Sequence, residues 1–248
     1  SFLYAAPEVI SSDRQMLVDA TYDPEGQTLV TSLRSRFILR QGDQYQVVSR
    51  VSVADATSLR AAPTTYPQWI QDRYLQLPDT VTPQTLALAT DLTAGQANPY
   101  DKAIAVRDYL RANLSYNDQI DAAPEGIDPV HYALFDLKEA YCTYYASAMA
   151  VMLRSQGIPA RVVSGYALGE YDEPSQSYRV RAANSHTWVE VFFPNYGWIH
   201  FEPTSSIPVA ERPSSGTGEL GGVITLAEPA QAEGLLPPED VERANGLL

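Results

Sequence analysis

A single cysteine, Cys142, stands in this chain of 248 residues, within the stretch EAYCTYYASAM at 139–149. With no second thiol to pair with, it is either packing material or a nucleophile. It lies where a helix is expected to begin, and a helix N-terminus lowers a thiol's pKa through unpaired N–H groups and a positive dipole. A thiolate that attacks a carbonyl needs a base to take its proton, and the base needs an orienting partner. Three histidines are present, His131, His186 and His200. His186 opens the alternating run HTWVEVFF, and Glu202 follows one strand later, across a turn at PNYGW. Adjacent antiparallel strands can bring such a pair together. Residue types and spacing alone leave two bland readings open, Cys142 as a small buried hydrophobe and His186 as a hydrogen-bonded core histidine. His200 reads as a strand histidine, and His131, in DPVHYALF, as structural.

The elements that must position these residues are legible in part. Asn98 caps a helix with Pro99 at its first position, and Ala103, Val106, Leu110 and Leu114 line one face. This helix is expected to be structural. A second helix runs from Cys142 to Gln156, burying Tyr145, Ala148, Met149 and Met152, and stops at Gly157 and Pro159. The period then changes to two in ARVVSGYAL, YRVRAA, HTWVEVFF and GWIHF, which read as strands. GEYDEPSQS reads as a turn connection. Upstream, TLVTSLRSRFIL and YQVVSRVSVA alternate around RQGDQ and predict a hairpin, with Leu29, Leu33, Phe37 and Leu39 on one side. Prolines punctuate AAPTTYPQWIQDRYLQLPDTVTP, which reads as a linker. The expected division is an N-terminal β region at 1–65, an α+β domain at 66–206, and a flexible tail at 207–248. The tail holds seven acidic and two basic residues.

Composition narrows the partners. Net charge is −13, which argues against nucleic acid and against anionic lipid, since both demand clustered Lys and Arg. No run approaches the roughly 18–20 apolar residues that cross a bilayer. The opening SFLYAAPEVISSDRQ lacks the basic and apolar regions of a signal peptide, so a soluble chain is expected. The acidic loop of Asp118, Asp121, Glu125 and Asp128 lacks EF-hand spacing and reads as solvated.

Two longer stretches, YCTYYASAMAVMLRSQGIPARVVSGY and NSHTWVEVFFPNYGWIHFEPT, together resemble the core of the transglutaminase-like superfamily. The likeness is to bacterial domains lying outside the cytoplasmic membrane, between the membrane spans of a larger protein. It covers about residues 66–206. It implies a papain-like α+β fold in which a cysteine-bearing helix packs on an antiparallel sheet, preceded by a small antiparallel β region. It implies Cys142 as nucleophile, His186 as base, and Glu202 as orienting carboxylate where the pattern usually has Asp. Ala140 stands where the pattern usually has glycine. The implied activity is acyl transfer from a glutamine carboxamide on a protein or peptide to an amine acceptor, through a thioester and without cofactor or metal. The implied location is extracytoplasmic, in a membrane-anchored bacterial protein. A cysteine hydrolase of the same fold and a non-catalytic binding module are the alternatives.

Overall fold

The computed structural model describes residues 3–6, 8–22, 28–209 and 212–213. Most of the expected tail therefore lies outside the described residues. The chain opens with β1 (Val9–Ser12), β2 (Met16–Tyr22), β3 (Thr28–Ser35) and β4 (Val47–Ser49). β2 pairs antiparallel with β3, and β1 with β4. The small N-terminal antiparallel region is present, but its pairing differs from the expected hairpin. RQGDQ does turn, with Gly42 at φ 86° and Asp43 N–H donating to the carbonyl of Arg40. The strands on either side of that turn nonetheless pair with other partners. Local alternation cannot choose a partner, and β2 offers β3 a seven-residue ladder where β4 is three residues long. Leu33 and Leu39 are buried as expected, whereas Phe37 is 65% exposed. These strands group with residues 165–185 in one compact unit, and residues 52–164 with the described chain from 186 onward form another.

The second unit begins with α1 (Ala56–Arg60), whose N-cap Asp55 accepts from the Ser58 N–H at 2.8 Å. The expected linker instead contains α2 (Gln68–Tyr74), with Ile70 wholly buried. Pro67 precedes the helix and Pro78 follows it, so the prolines bound an element rather than prevent one. α3 (Pro83–Thr93) follows, and then α4 (Pro99–Asn113). In α4 the side chain of Asn98 accepts from the Asp101 N–H at 2.9 Å, and Ala103, Val106, Leu110 and Leu114 are buried, as their spacing requires.

Next come β5 (Ser115–Tyr116) and α5 (Pro129–His131), which runs on into a π-helical turn at Tyr132–Leu137. Lys138, at φ 58°, ends that turn. β6 (Glu139–Ala140) pairs in parallel with β5 and leads into α6 (Cys142–Ser155). α6 stops at Gly157, whose φ of 71° suits glycine. Tyr145, Ala148, Met149 and Met152 are wholly buried on it.

Beyond α6 lie β7 (Ala160–Tyr166), β8 (Glu170–Asp172), β9 (Ser177–Arg179), β10 (Ser185–Phe193) and β11 (Gly197–Phe201). The order β11-β10-β7 makes a three-stranded sheet, and β8 and β9 form their own hairpin. The segment read as a plain turn connection thus holds a strand, and YRVRAA contributes only its first residues to β9 before a 3-10 turn at Ala182–Asn184. Val189, Val191 and Phe193 of β10 join the buried residues of α4 and α6 in one apolar cluster. The result is the expected transglutaminase-like α+β fold, a cysteine-bearing helix packed on an antiparallel sheet.

Candidate active site

Cys142 is the first residue of α6 and is half-buried. The N-cap, Tyr141, makes no side-chain hydrogen bond to the helix, so the positive helix end is not satisfied by a capping oxygen. Ala140, just upstream, is wholly buried at a φ outside the left-handed region, and its methyl group joins the apolar cluster. An alanine here strains nothing.

The hairpin of β10 and β11 supplies the rest. Val189 lies opposite Phe201, so the same register sets Trp188 opposite residue 202 and leaves His186 two residues further along. Glu202 sits one residue past β11 and reaches diagonally. Its Oε2 lies 2.6 Å from Nε2 of His186, with both side chains buried. The thiol of Cys142 and the imidazole of His186 lie close enough for each to act on the other's charge. Of the three residues expected from sequence, His186 and Glu202 are in hydrogen-bond contact, and Cys142 is electrostatically coupled to His186.

Their electrostatics are coupled. Burial pushes the Cys142 thiol up. Hydrogen bonding to His186, the imidazolium charge, and the backbone N–H and hydroxyl of Thr187 outweigh it and leave the thiol below its ordinary value. For His186, burial alone would lower the pKa. The hydrogen bonds and charges of Cys142 and Glu202 win, raising it from 6.5 to about 9. Both directions favour the thiolate–imidazolium form of the pair over the neutral one.

The carboxylate is itself held. Oε1 of Glu202 accepts from the Thr204 N–H at 2.8 Å, so each oxygen has one partner. Glutamate thus fills a place usual for aspartate with its longer side chain pinned at both oxygens. Trp188 stacks on His186 at 6.1 Å and on His200 at 5.6 Å, with interplanar angles of 26° and 16°. His200 therefore stands behind Trp188 rather than beside the sulfur. His131 is elsewhere, with its Nδ1 2.9 Å from the Thr82 hydroxyl and its N–H donating to Asp128.

Sequence reasoning missed several neighbours. Thr187 shares the β10 face of Val189, Val191 and Phe193 by strand parity, so a signal existed. Tyr116 and Tyr141 carry phenols that burial raises and that sense the charge of Cys142. Tyr141 adjoins the cysteine in sequence, but only the β5–β6 pairing, with Tyr116 opposite Ala140, brings Tyr116 near. No local pattern announces that.

The fold sets a buried imidazole–carboxylate pair beside a half-buried thiol at a helix N-terminus. Residues 86–203 match the family model of the transglutaminase-like superfamily. The chain is 44% identical over 157 residues to the uncharacterized protein YebA of Bacillus subtilis, covering 60% of this chain and 21% of that protein. It is 37% identical over 136 residues to a protein-glutamine gamma-glutamyltransferase of Pseudomonas aeruginosa, covering 54% of this chain and 20% of that protein. The chain thus spans about a fifth of the length of these relatives. Among solved structures, the periplasmic domain of TgpA from Pseudomonas aeruginosa superposes with a TM-score of 0.61 at 28% identity. That match covers 82% of this chain and 64% of the other.

Proposed function

We propose that this protein catalyses cysteine-dependent acyl transfer on glutamine carboxamides. The observation that supports the reading is the 2.6 Å pairing of His186 with Glu202, with the Cys142 thiol lowered and the His186 imidazole raised by their interaction. The thiolate of Cys142 attacks the carboxamide carbon. The backbone N–H of Cys142, at the uncapped start of α6, stabilises the tetrahedral oxyanion. His186, held by Glu202, passes its proton to the departing ammonia and a thioester remains. An amine then attacks the thioester, His186 takes up the amine's proton, and the new amide leaves the sulfur. Water in place of the amine gives a carboxylate.

The proposed substrates are a protein or peptide bearing glutamine and a primary amine as acceptor. Support for glutamine comes from the named activity of the Pseudomonas relative. Support for an extracytoplasmic setting comes from the periplasmic origin of the superposable domain. We further propose that the chain is one domain of a membrane-anchored bacterial protein, since it matches only a fifth of its relatives' length. Among the described residues no helix is long and apolar enough to cross a membrane. The expected boundary at residue 65 is placed instead near residue 51, since α1 packs in the site-bearing unit, and the tail at 207–248 stands as part of this proposal.

The test is incubation with a glutamine peptide, with and without a primary amine, followed by mass spectrometry. A gain of the amine less ammonia establishes transfer. A gain of about one mass unit alone establishes hydrolysis of the same thioester. Neither product, with Cys142 alkylated only near an ordinary thiol pKa, would leave a binding module. Activity surviving in Cys142→Ala would overturn the mechanism.

A further inference from the structure

α4 reads from sequence as a purely structural helix, yet its last turn carries Arg111, whose guanidinium reaches the loop that follows β11. Nη1 donates to the carbonyl of Glu202 at 3.4 Å and to that of Thr204, and Nη2 donates to the carbonyl of Ser205 at 3.5 Å. A second anchor comes from α6, where Tyr145 Oη lies 2.8 Å from Ser205 Oγ and donates to the Leu114 carbonyl at 2.6 Å. Within the loop, the Thr204 N–H holds Oε1 of Glu202, which leaves Oε2 for His186. Glu202 is 3% exposed and Thr204 wholly buried, so water does not compete for this backbone. A planar fork of N–H donors suits three carbonyls converging from one short loop.

We infer that Arg111 is a positioning residue: by gathering the carbonyls of residues 202, 204 and 205, it sets the Glu202 carboxylate at the distance from which it orients His186. Arg111 touches neither sulfur nor imidazole in this scheme. It acts through the loop. The inference holds whether the thioester goes to an amine or to water, and it rests on the pairing of His186 with Glu202 used in the proposed function. The titratable and charged groups bearing on His186 are Cys142 on α6, Glu202 beyond β11 and His200 on β11. Glu190 on β10 and Arg212 act on the same cluster through His200.

The experiment is an NMR titration of the three histidines of the full chain, labelled at the imidazole Cε1, in wild type, Glu202→Gln, Arg111→Met and the double variant. Replacing His131 and His200 singly by asparagine assigns the signals. In wild type the His186 midpoint is expected at about 9, and Glu202→Gln moves it down towards 6.5. Arg111→Met is expected to move it the same way, to a point between wild type and Glu202→Gln. The double variant is expected to coincide with Glu202→Gln, because a carboxylate that is absent cannot be mispositioned. Should Arg111→Met fail to fold, Arg111→Lys, which keeps the charge but not the fork, enters the same cycle under the same criteria. A wild-type midpoint in the Arg111 variant, or a double variant displaced by the full sum of the singles, would overturn the inference and leave the proposed function standing. An unmoved midpoint in Glu202→Gln would overturn both the inference and the His186–Glu202 pairing.

Discussion

The two compact units of this protein are stabilised by different means. In the unit that carries the site, one apolar cluster joins α1, α3, α4 and α6 to the inner face of β10 and β11. Some of its buried polar groups are paired across elements. Glu190, 1% exposed, accepts from Nε of Arg161 and forms an ion pair with its Nη2, and the guanidinium lies 4.2 Å above the Trp198 ring. In the other unit, Leu3, Leu33 and Leu39 make up the buried cluster among the described residues. There, two-stranded ladders leave Leu17, Val18 and Tyr22 about half exposed or more, and an isolated two-stranded ladder is marginal in water. A site that needs side chains held in fixed geometry sits where packing is dense. The sparsely buried unit has no such capacity.

That contrast can be broken at its strongest point first. Glu190→Ala strands the Arg161 guanidinium beside Trp198 without its anion and is expected to cost about 3–5 kcal/mol. Urea unfolding followed by Trp fluorescence measures it, and a loss below about 1 kcal/mol would show that the pair is a surface ornament. Next, Met149→Ala on α6 should cost about 2–5 kcal/mol and lower amide protection throughout α4, α6 and β10. Leu33→Ala should instead raise exchange only in β2 and β3. Equal, global effects in hydrogen exchange would mean that the two units share one cooperative fold after all.

Gly169→Ala tests the sparse unit at a defined point. A methyl group there would meet the Arg179 carbonyl oxygen at 1.9 Å, so the backbone of the β8–β9 hairpin must move. A cost of about 1–3 kcal/mol is expected, read as loss of cross-strand NOEs between Tyr171 and Tyr178, whose rings lie 5.1 Å apart. Smaller still is the effect of Thr187→Val, which removes a hydroxyl from the sulfur and should shift the acid limb of Cys142 alkylation to higher pH, with Thr187→Ser restoring it. An unmoved limb would remove Thr187 from the site.

The pH dependence of stability gives the smallest signal. A raised His186 pKa stabilises the fold fully below 6.5, and that gain is lost as pH rises from 6.5 to about 9. A lowered Cys142 pKa acts oppositely, adding stability as pH rises towards the unfolded thiol value. Over the window from 6.5 to about 9 the two contributions therefore oppose each other in wild type. In Cys142→Ala the compensating thiol is gone and stability should decline over it, a difference that thermal melts at successive pH values resolve.

The helices α4 and α6 were legible because capping residues, apolar spacing and stop signals all act within a few turns of chain. The strands β10 and β11 and the turn between them were legible for the same reason. The N-terminal pairing was not, since alternation marks a strand without naming its partner, and the helix between Pro67 and Pro78 was hidden by the prolines that bound it.

By itself the sequence determined which side chains were available for chemistry: one thiol, three imidazoles, and a carboxylate one hairpin away. It also determined the local elements that carry them. Only the tertiary structure decided that Glu202 reaches His186 along a diagonal rather than directly across the ladder, that Thr187 and Tyr116 attend the sulfur, and that Arg111 on a helix 91 residues earlier holds the Glu202 loop. Such contacts depend on register, on packing, and on which backbone carbonyls are left unpaired after the sheet ends. These are properties of the assembled chain, and short-range sequence patterns do not encode them.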